Sequence, residues 1–179
     1  MAEFLWIFWS FSLLGWVLER LFAAVTRSPR RRRRCLLLLP LCPVYGLGMA
    51  AVLPLPPSLR SGWPLYLWGG LTATSVEYIY HWWGETFLSV SFWDYTGVFG
   101  NLRGRVCLPF SLAWGLLLFP AVYLVTPPVV ALADRVPVGV AWWLLLAFTA
   151  DAVCSLRFLA VTHDLEALRA VIWPVSGDR

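Results

Sequence analysis

Residues 76–85 read VEYIYHWWGE and set Glu77, His81 and Glu85 four residues apart inside one of the most apolar parts of the chain. On an α-helix, positions i, i+4 and i+8 fall within roughly 80° of arc, so the three share one stripe. A charged side chain at the centre of a bilayer costs about 2.5–3.5 kcal/mol even on the lenient insertion scale. If this stretch is a membrane helix, its polar stripe must face other helices or a cavity, partly protonated or paired. Thr74, Ser75 and Gly84 beside it would let neighbouring helices come close. The fold therefore turns on whether the surrounding sequence supplies a membrane bundle.

The composition says that it does. Of the 179 residues, 60% are hydrophobic and 13% charged, against about 25% charged in ordinary soluble domains. The 12 tryptophans suit a chain with two membrane–water interfaces, where one end of an indole is apolar and the other wet. All 14 basic residues are arginine, and the net charge of +4 comes largely from the run RSPRRRRR at 27–34. That run lies between two apolar stretches, so it reads as a loop touching anionic headgroups and not as a nucleic-acid patch. Cys35, Cys42, Cys107 and Cys154 form no CxxC pair and have no histidine at ligand spacing. They read as small buried thiols, and no metal or cofactor is expected. The first apolar stretch carries Glu3 in place of a basic leader and is long enough to span, so it is expected to stay as a helix.

A spanning helix needs about 20 mostly apolar residues. Five candidate spans meet this, at about 4–25, 35–55, 64–88, 107–126 and 138–159, with 160–179 as a tail. The expected fold is all-α: one polytopic helical bundle in a single membrane domain spanning 1–179. Loop 26–34, loop 89–106 and the tail hold the arginine run, Arg103, Arg105, Arg169 and Arg179, while the opposite loops hold Arg60 and Arg135. The bias places the N-terminus outside and the C-terminus inside. Pro40 and Pro43 fall in the first half of the second span, where each removes a backbone donor. That span is expected either to kink or to begin as a short irregular piece followed by a helix from about Val44.

Other spans carry polar residues of their own. Glu19 and Arg20 lie near the end of the first, and Asp151 sits mid-way along the fifth, followed by Arg157. Before the fourth span, FWDYTGVFGNLRGRVCLPF gathers Trp93, Asp94, Tyr95, Asn101, Arg103 and Arg105 in a re-entrant or interfacial loop. Plainer roles exist: Glu19 and Arg20 fit a headgroup anchor, Asp94 a turn cap, and the two loop arginines the inside bias. The expectation is a polar centre built around Glu19, Glu77, Glu85, Asp94 and Asp151. Tyr45, Tyr78, His81, Trp93, Tyr95, Asn101 and Arg105 are its further candidates.

Four ordered motifs, GWVLE, CPVYGLG, EYIYHWWGE and WDYTGVFGNLRGRVCL, resemble the bacterial ABC-transporter type IV family, also described as CmpB-like ABC transporter permeases. A vertebrate family of small transmembrane proteins shares the E…E and WDY pattern more distantly. The resemblance covers roughly residues 5–160. It falls on Gly15, Trp16 and Glu19; on Pro43, Tyr45 and Gly46; on Glu77, Tyr78 and Glu85; on Trp93, Asp94 and Tyr95; and on Asn101, Gly104 and Cys107, with Asp151 and Ser155 as a further feature. His81 departs from it, since relatives carry a small residue there, and the arginine run is particular to this chain. The resemblance implies a permease.

No GxxxxGK[ST] phosphate loop is present, so a separate ATPase or a proton gradient would have to supply energy. Three readings stay open. The first is a transport subunit whose carboxylates line a pathway for a cation, a polar solute or protons. The second is an intramembrane enzyme using carboxylate acid–base chemistry on a lipid or lipid-linked substrate. The third is an accessory bundle. The expected partners are the bilayer, a separate ATPase subunit and, as a further option, a second copy of the chain; no nucleic acid is expected.

Overall fold

The computed structural model describes residues 2–26 and 35–170. The arginine run and the end of the expected tail lie outside them. The described residues are helical apart from turns, loops and one isolated bridge between Leu102 and Val106.

Helix α1 is Ala2–Thr26 and α2 is Pro43–Val52. Helix α3 runs 62–88 without a break, joining Gly62–Pro64, a π turn at Leu65–Gly69, Gly70–Trp83 and a second π turn at Gly84–Leu88. Helix α4 is Leu108–Ala133, α5 is Val138–Thr162 and α6 is Leu165–Ala170. Three of these, α1, α4 and α5, are long and apolar enough to cross a membrane. Helix α3 matches them in length, but its polar stripe makes it less apolar.

The second expected stretch takes the second of its two expected forms, an irregular entry followed by a helix, and the helix is short. Residues 35–42 are irregular, and only ten residues, Pro43–Val52, are helical. Ten residues rise about 15 Å, half the roughly 30 Å of a hydrocarbon core. Pro43 opens the helix at its first turn, where a missing N–H costs nothing. Upstream, the N–H groups of Leu38 and Leu39 donate to the Asp151 carboxylate on α5 at 3.2 and 2.9 Å, so this backbone is satisfied by a side chain and not by a helical turn.

Helix α4 also exceeds its expected end. Pro120 lies inside it, and the next turn widens to a π turn at Ala121–Val125, with Thr126 Oγ1 donating to the Ala121 carbonyl at 2.8 Å. Widening absorbs the missing donor, so the helix continues to Ala133. At the other end of the chain the expected tail begins as structure. Helix α5 reaches Thr162, and Leu165 and Leu168 of α6 are buried in the core.

Helix α2 packs against α1 and α3, and α3 against α4. At the α3–α4 crossing a side-chain carbon on Gly70 would stand 3.1 Å from the Gly115 Cα, so the two backbones touch directly. One core lies toward the C-terminal ends of α3 and α5, around Leu37, Val44, Phe92, Trp93 and Leu159. A second, around Phe11, Met49, Val52, Leu65 and Leu118, holds the opposite half. Leu116, Leu124 and Trp143 point outward, as a lipid-facing surface requires. The thiols divide: Cys42 and Cys107 are buried and Cys35 half-buried, but Cys154 is exposed, correcting the expectation for that residue. An outward thiol on an apolar helix meets lipid, so its polarity does not force it inside.

Candidate functional site

Glu77, on the inner face of α3, is 0% exposed. Its carboxylate accepts Trp114 Nε1–H from α4 at 2.6 Å and the Tyr95 hydroxyl from the 89–107 loop at 3.4 Å. The Trp114 ring centre lies 4.9 Å from that of Tyr45 on α2. Tyr45 in turn donates its hydroxyl to Glu19 of α1 at 2.6 Å, and Glu19 is 8% exposed. A continuous line of side chains thus joins two buried carboxylates across four helices. The Tyr45 ring reaches Glu19 because residue 15 is glycine: a side-chain carbon there would overlap the ring. Gly15→Ala should therefore destabilise the protein by about 1–3 kcal/mol through overpacking, with Gly15→Val worse; thermal unfolding in detergent reads the series.

About two turns along α3, at Glu85, the surroundings become wetter. Glu85, 35% exposed, accepts Arg105 Nε–H at 2.7 Å, and Arg105 Nη1 donates to the Tyr78 hydroxyl at 2.7 Å. The guanidinium also lies 5.1 Å from the Tyr78 ring centre. The Glu85 and Tyr78 oxygens hold the Arg105 charge more firmly than water does, so its pKa is raised. The other Glu85 oxygen lies 3.1 Å from Nε2 of His81, which is 1% exposed.

Ser91 Oγ is 3.2 Å from the same His81 nitrogen and donates its own proton to the Trp93 carbonyl at 2.8 Å. With the serine proton committed and a carboxylate opposite, Nε2 carries the imidazole proton, an assignment made from the hydrogen-bond network. Nδ1 is buried with no hydrogen-bond partner among the described residues. Serine, histidine and glutamate are all present, but serine and glutamate share one ring nitrogen. A hydrolytic triad places them on opposite nitrogens with the serine proton free to move. The geometry is not that of a triad.

The remaining candidates serve the backbone. Trp93 Nε1–H donates to the Arg105 carbonyl at 2.7 Å and pins the loop's two arms together. Asn101 donates to the Val98 carbonyl and accepts Gly104 N–H. Asp94 is exposed and accepts Thr96 N–H at 2.7 Å; the Thr96 hydrogen bonds, with a lesser contribution from His81, hold its carboxyl below the usual range. Asp151 accepts the lead-in backbone at Leu38 and Leu39 and the Ser155 hydroxyl at 3.0 Å.

Among the described residues, the structure gathers Glu19, Tyr45, Glu77 and Tyr95 in one cluster and Tyr78, His81, Glu85 and Arg105 in a second, adjacent along α3. Asp94, Asn101 and Asp151 make their hydrogen bonds outside both. Two participants escaped sequence reasoning. Trp114 lies two turns into an apolar span, and an indole N–H buried there needs an acceptor; that was its signal. Ser91 carried none.

A protein-family model described as "Putative ABC-transporter type IV" matches residues 6–156. No curated protein and no solved structure matches the chain.

Proposed function

From the premise that the chain belongs to the ABC-transporter type IV family, we propose that it is the membrane-embedded subunit of a transporter, with Glu19 and Glu77 as the polar centre its cargo meets. The observation that carries this reading is the fully buried Glu77, tied through Trp114 and Tyr45 to Glu19 where α1, α2, α3 and α4 meet. Buried ionisable groups inside a membrane bundle mark ion or solute pathways more often than packing devices. The short α2 behind an irregular segment supports the same reading, since transporters build sites at interrupted helices whose backbone is covered by protein. The Glu85–Arg105 pair forms the rim of that centre. The arginine bias supports a rim on the cytoplasmic side, with the N-terminus out and the C-terminus in. A separate ATPase, as the family description suggests, supplies the energy in this reading.

The test is gentle purification from the native membrane, followed by identification of whatever protein accompanies the chain. A stoichiometric ATPase supports the reading. A monodisperse chain holding one specific lipid and no ATPase overturns it in favour of intramembrane chemistry.

A further inference from the structure

Helix α3 ends at Leu88, and His163 Nδ1–H donates to the Leu88 carbonyl at 2.7 Å, which fixes that end. Ser89 then takes a left-handed backbone, φ +56°, a conformation that costs any residue with a side chain. Residues 89–94 form neither helix nor strand. Val90 and Phe92 turn inward while Ser89 and Ser91 stay exposed, so the segment is a cover one residue thick. Phe92 is 0% exposed and sits over Gly84, where a side-chain carbon would overlap its ring. Its ring centre lies 5.0 Å from that of Tyr80 and 6.2 Å from that of His81. Ser91 Oγ lies 3.2 Å from His81 Nε2. Trp93, tied through its indole to the Arg105 carbonyl, anchors the far end.

This cover leaves two polar atoms of α3 short. The Tyr80 hydroxyl and His81 Nδ1 are buried with no hydrogen-bond partner among the described residues. A buried polar atom without a partner has given up its hydration for nothing, so both atoms destabilise the closed arrangement and water would relieve them. His81 also stands between the two clusters, one helical turn from Glu77 and one from Glu85 on the same stripe.

We propose that residues 89–92 are a gate between the Glu85 rim and the Glu77 centre, with Ser89 as hinge, Trp93 as anchor and Phe92 as the leaf that leaves its slot over Gly84. Opening admits water to the Tyr80 hydroxyl and makes His81 the first inward side chain met from the rim. That the gate serves a cargo rests on the transport reading. The opening itself does not.

The experiment treats the full-length protein in lipid nanodiscs with diethyl pyrocarbonate, which carbethoxylates imidazole. Mass spectrometry reads each of the two histidines, beside amide hydrogen exchange along the chain. The exposed His163 is the internal reference. Relative to its unprotected rate, His81 should be at least about tenfold less protected than the α3 amides at 70–83, because a local opening needs less than unfolding a helix. Tyr80→Phe removes the stranded hydroxyl and keeps the ring, so it should slow His81 labelling by about fivefold or more. Gly84→Ala drives Phe92 from its slot and should speed that labelling by about tenfold or more. His163, outside the cover, should stay within about twofold in both variants.

His81 labelling that needs α3 itself to open overturns the proposal. So does an unchanged rate in Tyr80→Phe, or a change that His163 shares equally in either variant. If Gly84→Ala does not fold, Tyr80→Phe, which removes one oxygen, decides alone. An ATPase that copurifies with a chain whose His81 labels only as α3 unfolds sinks the gate and leaves the transport reading standing. Local opening in a chain with no ATPase does the reverse.

Discussion

Glu77→Ala should lower stability by about 3 kcal/mol, read as a lower unfolding temperature in detergent. The substitution removes the acceptor that Trp114 Nε1–H and the Tyr95 hydroxyl both use. Each buried donor left short of a partner costs about 1–3 kcal/mol, and an acceptor that is charged is worth more than a neutral one. Glu77→Gln separates this structural role from a chemical one. Its amide oxygen still accepts the indole N–H, so it should cost no more than about 1 kcal/mol, yet it cannot gain or lose a proton or balance a cation. The expected result is a folded, monodisperse Glu77→Gln protein whose transport is abolished. A Glu77→Ala protein as stable as the parent would mean that the carboxylate does not hold these helices together. A fully active Glu77→Gln protein would mean that it is only a hydrogen-bonding device.

What made Glu77 legible was its spacing from His81 and Glu85, because a local period is written directly into a sequence. The long apolar helices α1, α4 and α5 were legible because an apolar run of spanning length is also written locally. Other features have a different cause. The prolines of 35–55 left a kinked helix and an irregular entry both open, and no local pattern shows that a residue more than a hundred positions away satisfies the irregular backbone. The fourth span was expected to end at about 126, and the helix runs on to Ala133 through Pro127 and Pro128. Three-dimensional accommodation by a π turn and the Thr126 hydroxyl let it continue.

The candidate site divides along the same line. Residues on one stripe of α3 could be grouped beforehand. Asp94, expected in the polar centre or as a turn cap, accepts a backbone N–H of its own turn, and Asp151 holds a backbone segment. Trp114 completes the Glu77 pocket from 37 positions away, which no local pattern encodes.

Asp151→Ala is the second large effect, and it tests the reassignment of that carboxylate from polar centre to backbone support. Two backbone N–H groups, at Leu38 and Leu39, and the Ser155 hydroxyl all donate to it. Losing the carboxylate leaves the two N–H groups in a region with no helical turn to take them up, and the Ser155 hydroxyl without its acceptor, at a cost of about 2–4 kcal/mol. Asp151→Asn keeps one acceptor oxygen and should recover roughly half of that loss. The segment that suffers is local, so hydrogen exchange in detergent should rise at 38–42 before the remaining helices open. An ion-pathway carboxylate would behave differently: Asn would cost activity with little change in exchange at 38–42. Graded loss of protection from Asp to Asn to Ala therefore identifies Asp151 as the group that lets a proline-interrupted stretch sit against α5 without a helix. Equal protection in all three proteins would return it to the polar centre.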